Sequence, residues 1–372
     1  MQLVPASTQA HPRDVLLGAQ AAGASLPVCD HYCGVEARML KSLQLQKEFA
    51  EEFGTCVFDV TLDCEDGAPV GGEREHAELV AKIASNSALA VVNISYTAIK
   101  KIANTQVATQ KSSRVAVRVH APDHAAFESD IDVIVGKASH ALCHVMIPKV
   151  ESVADIDRAV KLIDAAQKKS KVVSTHLRDK LQNKGKLPVH VLIESSTAVH
   201  RAFDIAAHPR VQSLSFGLMD FVSSHGGAIP ASAMGLAGQF THPLVVRAKL
   251  AIASACHAHG KVPSHCVVTE FSDANAIKNA ASQAANTLGF TRMWSIHPSQ
   301  IRPILAAFAP DASDIDVATH IIAAGVDAEW APISYKGTLH DRASYRYYWQ
   351  VLERAQQTGR VMDVSVAHFF ND

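Results

Sequence analysis

The chain reads as an α/β protein built as a (β/α)₈ barrel, and three observations lead there. Short apolar runs recur along it and are continuous rather than alternating, the pattern of strands buried on both faces of a parallel sheet. Helical spacing of apolar residues separates them, as in Glu36 to Phe53 and Val153 to Ile163. Several runs end in a polar residue suited to catalysis, and in parallel α/β folds such strand ends gather at one rim.

In order, the expected strands lie at 26–28, 57–62, 115–119, 142–147, 189–193, 212–216, 265–268 and 292–296. Eight strands with intervening helices favour closure into a barrel, and a doubly wound open sheet is the alternative. Residues 1–24, weakly patterned and containing Ala, Gly and Pro, are expected to form a loosely packed N-terminal arm. The barrel then occupies 25–309, interrupted by a lysine-rich solvated insertion at 168–186. Beyond it, 310–372 form a C-terminal helical extension with helices near 315–324 and 344–357 around a turn-rich stretch. That tail is short for an independent domain, so its expected role is to cover something.

Composition excludes several classes of function. The 372 residues are 48% hydrophobic, enough for a large core, with a formal net charge of −1 and only 6% aromatics. Neither a nucleic acid nor an anionic membrane surface is an expected partner. No apolar run approaches the roughly 20 residues that span a bilayer, and the first residues lack a secretory pattern. Seven scattered cysteines fit reduced thiols in a cytoplasm. The Cys256-His257-Ala258-His259 and His265-Cys266 groups match no usual zinc spacing.

The chemistry is carried by the strand ends. Glu194 and Asp220 follow successive strands and could share a divalent cation, since Mg²⁺ takes one or two carboxylates and keeps positions for water and substrate. Arg118 could grip a carboxylate with its planar fork. Glu65 and Asp66, after the second strand, would stand beside this cluster and hold the metal's waters. A single carboxylate at a strand end more often caps a helix or sits in a structural salt bridge than binds a metal; their joint placement at separate strand ends is the signal. Asp30, His31 and Tyr32 would fall at the first strand's rim.

Asp63-Cys64-Glu65-Asp66 resembles the Asp-Leu-Glu-Asp signature of the citrate lyase β-subunit/malyl-CoA lyase family, part of the HpcH/HpaI aldolase superfamily. Arg118-Val119-His120 resembles its Arg-Val-Asn, and Pro148-Lys149-Val150-Glu151 matches its Pro-Lys-Val-Glu. Ile193-Glu194-Ser195 resembles its Ile-Glu-Thr, Phe216-Gly217-Leu218-Met219-Asp220 its Phe-Gly-x-x-Asp, and Ile296-His297-Pro298-Ser299-Gln300 its Ile-His-Pro-x-Gln. The order is preserved across roughly residues 55 to 345.

The resemblance implies a Mg²⁺-dependent carbon–carbon lyase of the aldolase type, with Mn²⁺ as a substitute. Its substrate would be a 3-hydroxy acid or the coenzyme A thioester of one, with oxaloacetate, glyoxylate or pyruvate as the 2-oxo acid. Glu194 and Asp220 would bind the metal and Arg118 the keto-acid carboxylate. Gly217, Leu218, Met219, His297 and Pro298 would line the substrate and cofactor site. Asp341, in Gly337-Thr338-Leu339-His340-Asp341, would act as the acid in a neighbouring protomer's site, within a homotrimer or homohexamer. A malyl-type thioesterase, a phosphoryl-rearranging barrel enzyme and a non-catalytic binding or assembly subunit are the alternatives. Family members that use coenzyme A open with Arg-Ser-x-Leu-Phe-Val-Pro-Gly. Here Leu26-Pro27-Val28-Cys29-Asp30-His31-Tyr32-Cys33-Gly34 stands in that place, which leaves the thioester open.

Overall fold

Eight parallel strands close on themselves in sequential order, β1 through β8, with β8 pairing back to β1. They are β1 (Cys29–Cys33), β2 (Phe58–Asp63), β3 (Val115–Arg118), β4 (Leu142–Ile147), β5 (Val189–Ile193), β6 (Val211–Phe216), β7 (Val262–His265) and β8 (Arg292–Ser295). The structure is a computed structural model that describes residues 10–18, 23–67, 69–101, 113–169 and 185–370. Most of the expected insertion at 168–186 lies outside the described residues. By internal contacts the chain divides into Leu26–Phe308, which holds the barrel, and a second unit of Met1–Ser25 with Ala309–Asp372.

Alternation along each strand sorts the barrel lumen into layers. The lowest layer is polar. Asp30 of β1 and Asp59 of β2 both lie 2.7 Å from Arg292 of β8, and Arg114 joins Asp59 from just before β3. Thr61 donates to Asp30 at 2.7 Å, and Arg292 donates to the Pro27 carbonyl at 2.6 Å. His144 of β4 and His190 of β5 stack beside them with ring centroids 3.5 Å apart, and burial pushes both imidazoles well below their usual range. Two residues further along the strands comes an apolar floor of Tyr32, Met146, Leu192 and Trp294, in which Tyr32 and Trp294 stack at 4.4 Å. Another step carries β2, β3 and β5 to Asp63, Arg118 and Glu194 at the barrel mouth.

This layering corrects the expected register of two strands. β1 starts at Cys29 rather than 26, and β7 ends at His265, where the sequence suggested a start. Polar lumen residues such as Asp30 and Ser264 broke the apolar runs that mark strands. Consequently Asp30 and Tyr32 are not rim residues. Both face the lumen below the mouth, while His31 hydrogen-bonds Ser295 Oγ at 3.0 Å and is pushed down to about 4, by burial first.

In the second unit the expected loose arm contains a packed helix, Pro12–Leu17. Leu16 and Leu17 join Ile321, Ile322, Trp349 and Leu352 in one buried cluster. Arg13 pairs with Glu353 at 2.7 Å. The helices Ala312–Asp327 and Arg342–Gln357 flank a small hairpin, Ile333–Tyr335 with Thr338–His340. Its turn residues Lys336 and Gly337 both have positive φ, as a tight two-residue hairpin requires. Among the described residues, no helix is long and apolar enough to cross a membrane.

Arg292 neutralises two fully buried carboxylates, so its removal strands charge in the lumen. Arg292→Ala should lower stability by about 3–5 kcal/mol, read from the urea midpoint; a loss within experimental error would mean that the layer relaxes freely.

Candidate active site

The carboxyl ends of β2 to β6 converge on one acidic mouth. β2 ends at Asp63, and the following turn presents Glu65 and Asp66. From β3, Arg118 meets all three. Its Nε and Nη2 donate to the two Asp63 oxygens at 2.7 Å each, Nη1 lies 2.9 Å from Glu65 Oε2, and Nη2 also donates to Asp66 at 2.8 Å. The guanidinium stands over the Tyr32 ring, 5.5 Å from its centroid. Its fork is therefore engaged by protein carboxylates. Of these, Asp63 and Glu65 are nearly buried, while the Asp66 side chain is 79% exposed.

Glu194 follows β5 and is buried. Its Oε2 accepts a hydrogen bond from the Lys149 backbone N–H at 2.8 Å. Gly217, just after β6, closes the other side: a Cβ there would lie 2.3 Å from Glu194 Oε1, so any larger residue would displace this carboxylate from its present position. Burial is the main reason that the Glu194 carboxyl is pushed up to about 8, and repulsion from Glu65 and Asp220 adds to it. The Glu65 carboxyl is raised too, chiefly by burial, against the pull of Arg118 and Lys149. Asp220 lies in the first turn of the helix Leu218–Ser223 and is half-exposed.

Sequence reasoning gave Lys149 no role, yet it touches three of these carboxylates. It follows Pro148 after β4 and holds φ at 50°, a left-handed conformation that costs a non-glycine residue about 1–3 kcal/mol. Its ammonium donates to Glu65 Oε1 at 2.7 Å and lies 3.8 Å from Asp220 Oδ1. Burial works against the charge, but the hydrogen bond to Glu65 and the attraction of the acids prevail and raise the Lys149 pKa. The sequence carried the same signal here as elsewhere, an apolar run ending in a charged residue.

Glu194, Asp220 and Lys149 line one cleft of about 430 Å³, with Ser195 and Ser223 on its wall. The donors clustered there are carboxylate oxygens, and the charge on them exceeds that of their cationic partners. That is an environment suited to a hard divalent cation such as Mg²⁺. The other expected residues are distributed as follows. Leu218 is buried in the apolar core and Met219 is half-buried. His297 is exposed beyond β8, its Nδ1 2.8 Å from Ser299 Oγ, and Pro298 starts the helix Pro298–Phe308. Gln300, also without an assigned role, ties the loops after β7 and β8 together. Its Oε1 accepts from the Ile296 N–H at 2.9 Å and its Nε2 donates to the Val268 and Glu270 carbonyls at 2.7 Å. Asp341 belongs to the other unit, where its carboxylate caps the helix Arg342–Gln357 by accepting from the Ala343 and Ser344 N–H groups.

Comparison with known proteins bears on this arrangement. The sequence profile of the HpcH/HpaI aldolase/citrate lyase family matches residues 86–298. An L-malyl-CoA/beta-methylmalyl-CoA lyase of Rhodobacter capsulatus is 30% identical over 261 residues, which are 65% of this chain and 76% of that protein. The crystal structure of a citrate lyase from Burkholderia xenovorans is 46% identical, covers 97% of this chain and 99% of its own, and superposes with a TM-score of 0.72. The protein CitE of Mycobacterium tuberculosis, solved with magnesium, acetoacetate and coenzyme A, is 20% identical over 89% of this chain and 98% of its own. Its TM-score of 0.58 speaks for the fold.

The raised carboxyl of Glu194 makes stability depend on pH. The group titrates near 4.5 when unfolded and near 8 when folded, so between these values the folded chain binds the extra proton. Stability therefore falls as pH rises through that window. In chelator, Glu194→Gln should gain Tm over the parent progressively from about pH 5 to about pH 8; a constant difference would place the titration elsewhere.

Proposed function

The chain belongs to the HpcH/HpaI aldolase/citrate lyase family, and on that footing we propose a Mg²⁺-dependent carbon–carbon lyase. It cleaves or forms a 3-hydroxy acid, or the coenzyme A thioester of one, with a 2-oxo acid such as oxaloacetate, glyoxylate or pyruvate as the other partner. The observation that carries this reading is the meeting of Glu194 and Asp220 in one cleft, with Gly217 shaped around the Glu194 carboxylate. The related lyases named above act in the same sense, and the magnesium of the CitE structure supports the choice of ion.

Glu194 and Asp220 would hold the metal, and the Lys149 N–H fixes the direction in which Glu194 presents its second oxygen. Once bound, Mg²⁺ supplies Lewis-acid polarisation of the oxygen whose charge changes as the carbon–carbon bond breaks. Glu65 and Asp66 hold water at the edge of the site, and Glu65 relays the substrate's hydroxyl proton. Arg118 holds this acidic turn in place, and it reaches a substrate carboxylate by exchanging its exposed partner Asp66. The bonding pair of the broken bond passes to the departing carbon as an enolate. Asp341 of a neighbouring protomer protonates that carbon, or removes the proton in condensation. This requires an oligomer, which we take to be a homotrimer or homohexamer in which the C-terminal unit covers the adjacent mouth. Seven cysteines, none of them in a disulfide among the described residues, support a reducing, cytoplasmic setting.

Glu194→Gln should weaken Mg²⁺ binding at least tenfold, as read by calorimetry, and abolish 2-oxo acid release. Asp341→Asn should bind Mg²⁺ normally and turn over about 10²–10⁴-fold more slowly. Mixed oligomers of the two inactive variants should regain activity, because some mouths then receive an intact Glu194 and an intact Asp341. Unchanged Mg²⁺ affinity in the first variant, or unchanged turnover in the second, would contradict the assignments.

A further inference from the structure

The lyase reading leaves one side-chain pair at the edge of its cleft without a task. Ser196 Oγ lies 2.9 Å from His225 Nε2, and His225 Nδ1 lies 2.5 Å from the Phe221 carbonyl oxygen. A carbonyl oxygen only accepts, so Nδ1 carries the ring hydrogen. In the neutral imidazole Nε2 is then an acceptor, and it takes the Ser196 hydroxyl hydrogen. Serine, base and orienting acceptor follow one another at hydrogen-bond distances, the arrangement that activates a serine nucleophile.

Neighbouring residues place the pair. Ser195 and Ser224, each one residue before a member of it, line the cleft with Glu194 and Asp220. The other serines here serve local turns: Ser195 Oγ accepts from the Ala198 N–H, and Ser223 and Ser224 donate to the Asp220 and Phe221 carbonyls. Ser196 alone of the four meets a base, and it is exposed to solvent. The Phe221 ring packs against the imidazole with centroids 4.5 Å apart, and Gly226 and Gly227, both with positive φ, form the turn that follows. On the serine's side the backbone leaves β5, passes Glu194 and Ser195, and enters the helix Ser196–His200. The N–H groups of Ser196 and Thr197 have no acceptor among the described residues. A serine on a strand-to-helix turn, with a free N–H on the residue after it, is how α/β hydrolases receive the oxyanion of an acyl group.

We propose that Ser196 and His225 form a nucleophilic dyad that hydrolyses an activated acyl group, an ester or a thioester, without a metal ion. Ser196 Oγ attacks the acyl carbonyl carbon while His225 Nε2 accepts the hydroxyl proton. The bond from that carbon to the departing oxygen or sulfur breaks, the electron pair leaves with that atom, and His225 delivers the proton to it. Water then attacks the acyl-serine; His225 takes the water's proton and passes it to Ser196 Oγ as the carboxylic acid departs. The sum is ester or thioester plus water giving acid plus alcohol or thiol, with nothing oxidised or reduced. This activity is separate from carbon–carbon cleavage and does not rest on it.

The test uses the full-length protein in EDTA, with p-nitrophenyl acetate and S-phenyl thioacetate as acyl probes. The parent should hydrolyse both faster than buffer alone. Phenylmethylsulfonyl fluoride should block this and add a sulfonyl group that mass spectrometry locates on Ser196. Ser196→Ala should lose the label and at least about tenfold in kcat/KM, and His225→Gln should lose a similar factor. Ser196→Cys, which keeps a nucleophile beside the base, should be acylated again. The label on the parent needs no variant, so misfolding of one variant leaves the test intact. A label confined to other residues, parent-like hydrolysis by Ser196→Ala, or no hydrolysis above buffer by the parent would each overturn the proposal. With no metal present, none of these outcomes bears on the lyase reading.

Discussion

Crowded negative charge at the barrel mouth is the constraint on which the site depends. Asp63, Glu65, Asp66, Glu194 and Asp220 gather around two side-chain cations, Arg118 and Lys149. Water would screen such a group at a surface, but Asp63, Glu65 and Glu194 are nearly buried, so their repulsion is felt through protein. The carboxyls of Glu194 and Glu65 are raised by burial first, and by this repulsion second. A fold holds such an arrangement only if something outside the chain gains from it. A small hard cation with oxygen donors is the ligand that gains most.

The layers below make the arrangement durable. Tyr32, Met146, Leu192 and Trp294 separate the acidic mouth from the polar layer of Asp30, Asp59, Arg114 and Arg292. The apolar floor removes solvent from beneath Glu194. The ion-paired layer under it ties β1, β2 and β8 together through a single guanidinium. Buried ion pairs of this kind add little net stability compared with an apolar core, but they penalise any shift of one strand past another. Register is what the mouth needs, because displacement by one residue would turn Glu194 out of the lumen.

Much of this was legible in the sequence where one residue type did one job. Continuous apolar runs announced β2 to β6, and the polar residue after each run marked Arg118, Glu194 and Asp220. Legibility failed where the lumen itself is polar. Cys29-Asp30-His31-Tyr32-Cys33 carries no apolar run because Asp30 faces Arg292 and His31 faces Ser295. Lys149 escaped for another reason: at a strand end lysine is ordinarily a solvated residue, and neither its positive φ nor its bond to Glu65 has a signature in composition. The same holds for the helix Pro12–Leu17, whose partners lie more than three hundred residues away in sequence, as in the Arg13–Glu353 pair.

What finally sets the carboxylates in place is backbone proximity, and that too is invisible until the chain closes. A Cβ on Gly34 would lie 2.4 Å from the Cα of Gly67, and one on Gly67 would lie 2.7 Å from the Asp63 carbonyl oxygen. The segments after β1 and β2 therefore touch main chain to main chain, directly behind Asp63, Glu65 and Asp66. His76 adds a hydrogen bond to the same Asp63 carbonyl at 2.9 Å. With the backbone pinned on this side and the Asp63 carboxylate held on the other by Arg118, the acidic turn has little freedom to relax away from Glu194. Charge repulsion that would otherwise open the mouth is stored against these contacts, and rigidity here makes the site receptive to a cation rather than collapsed around its own side chains.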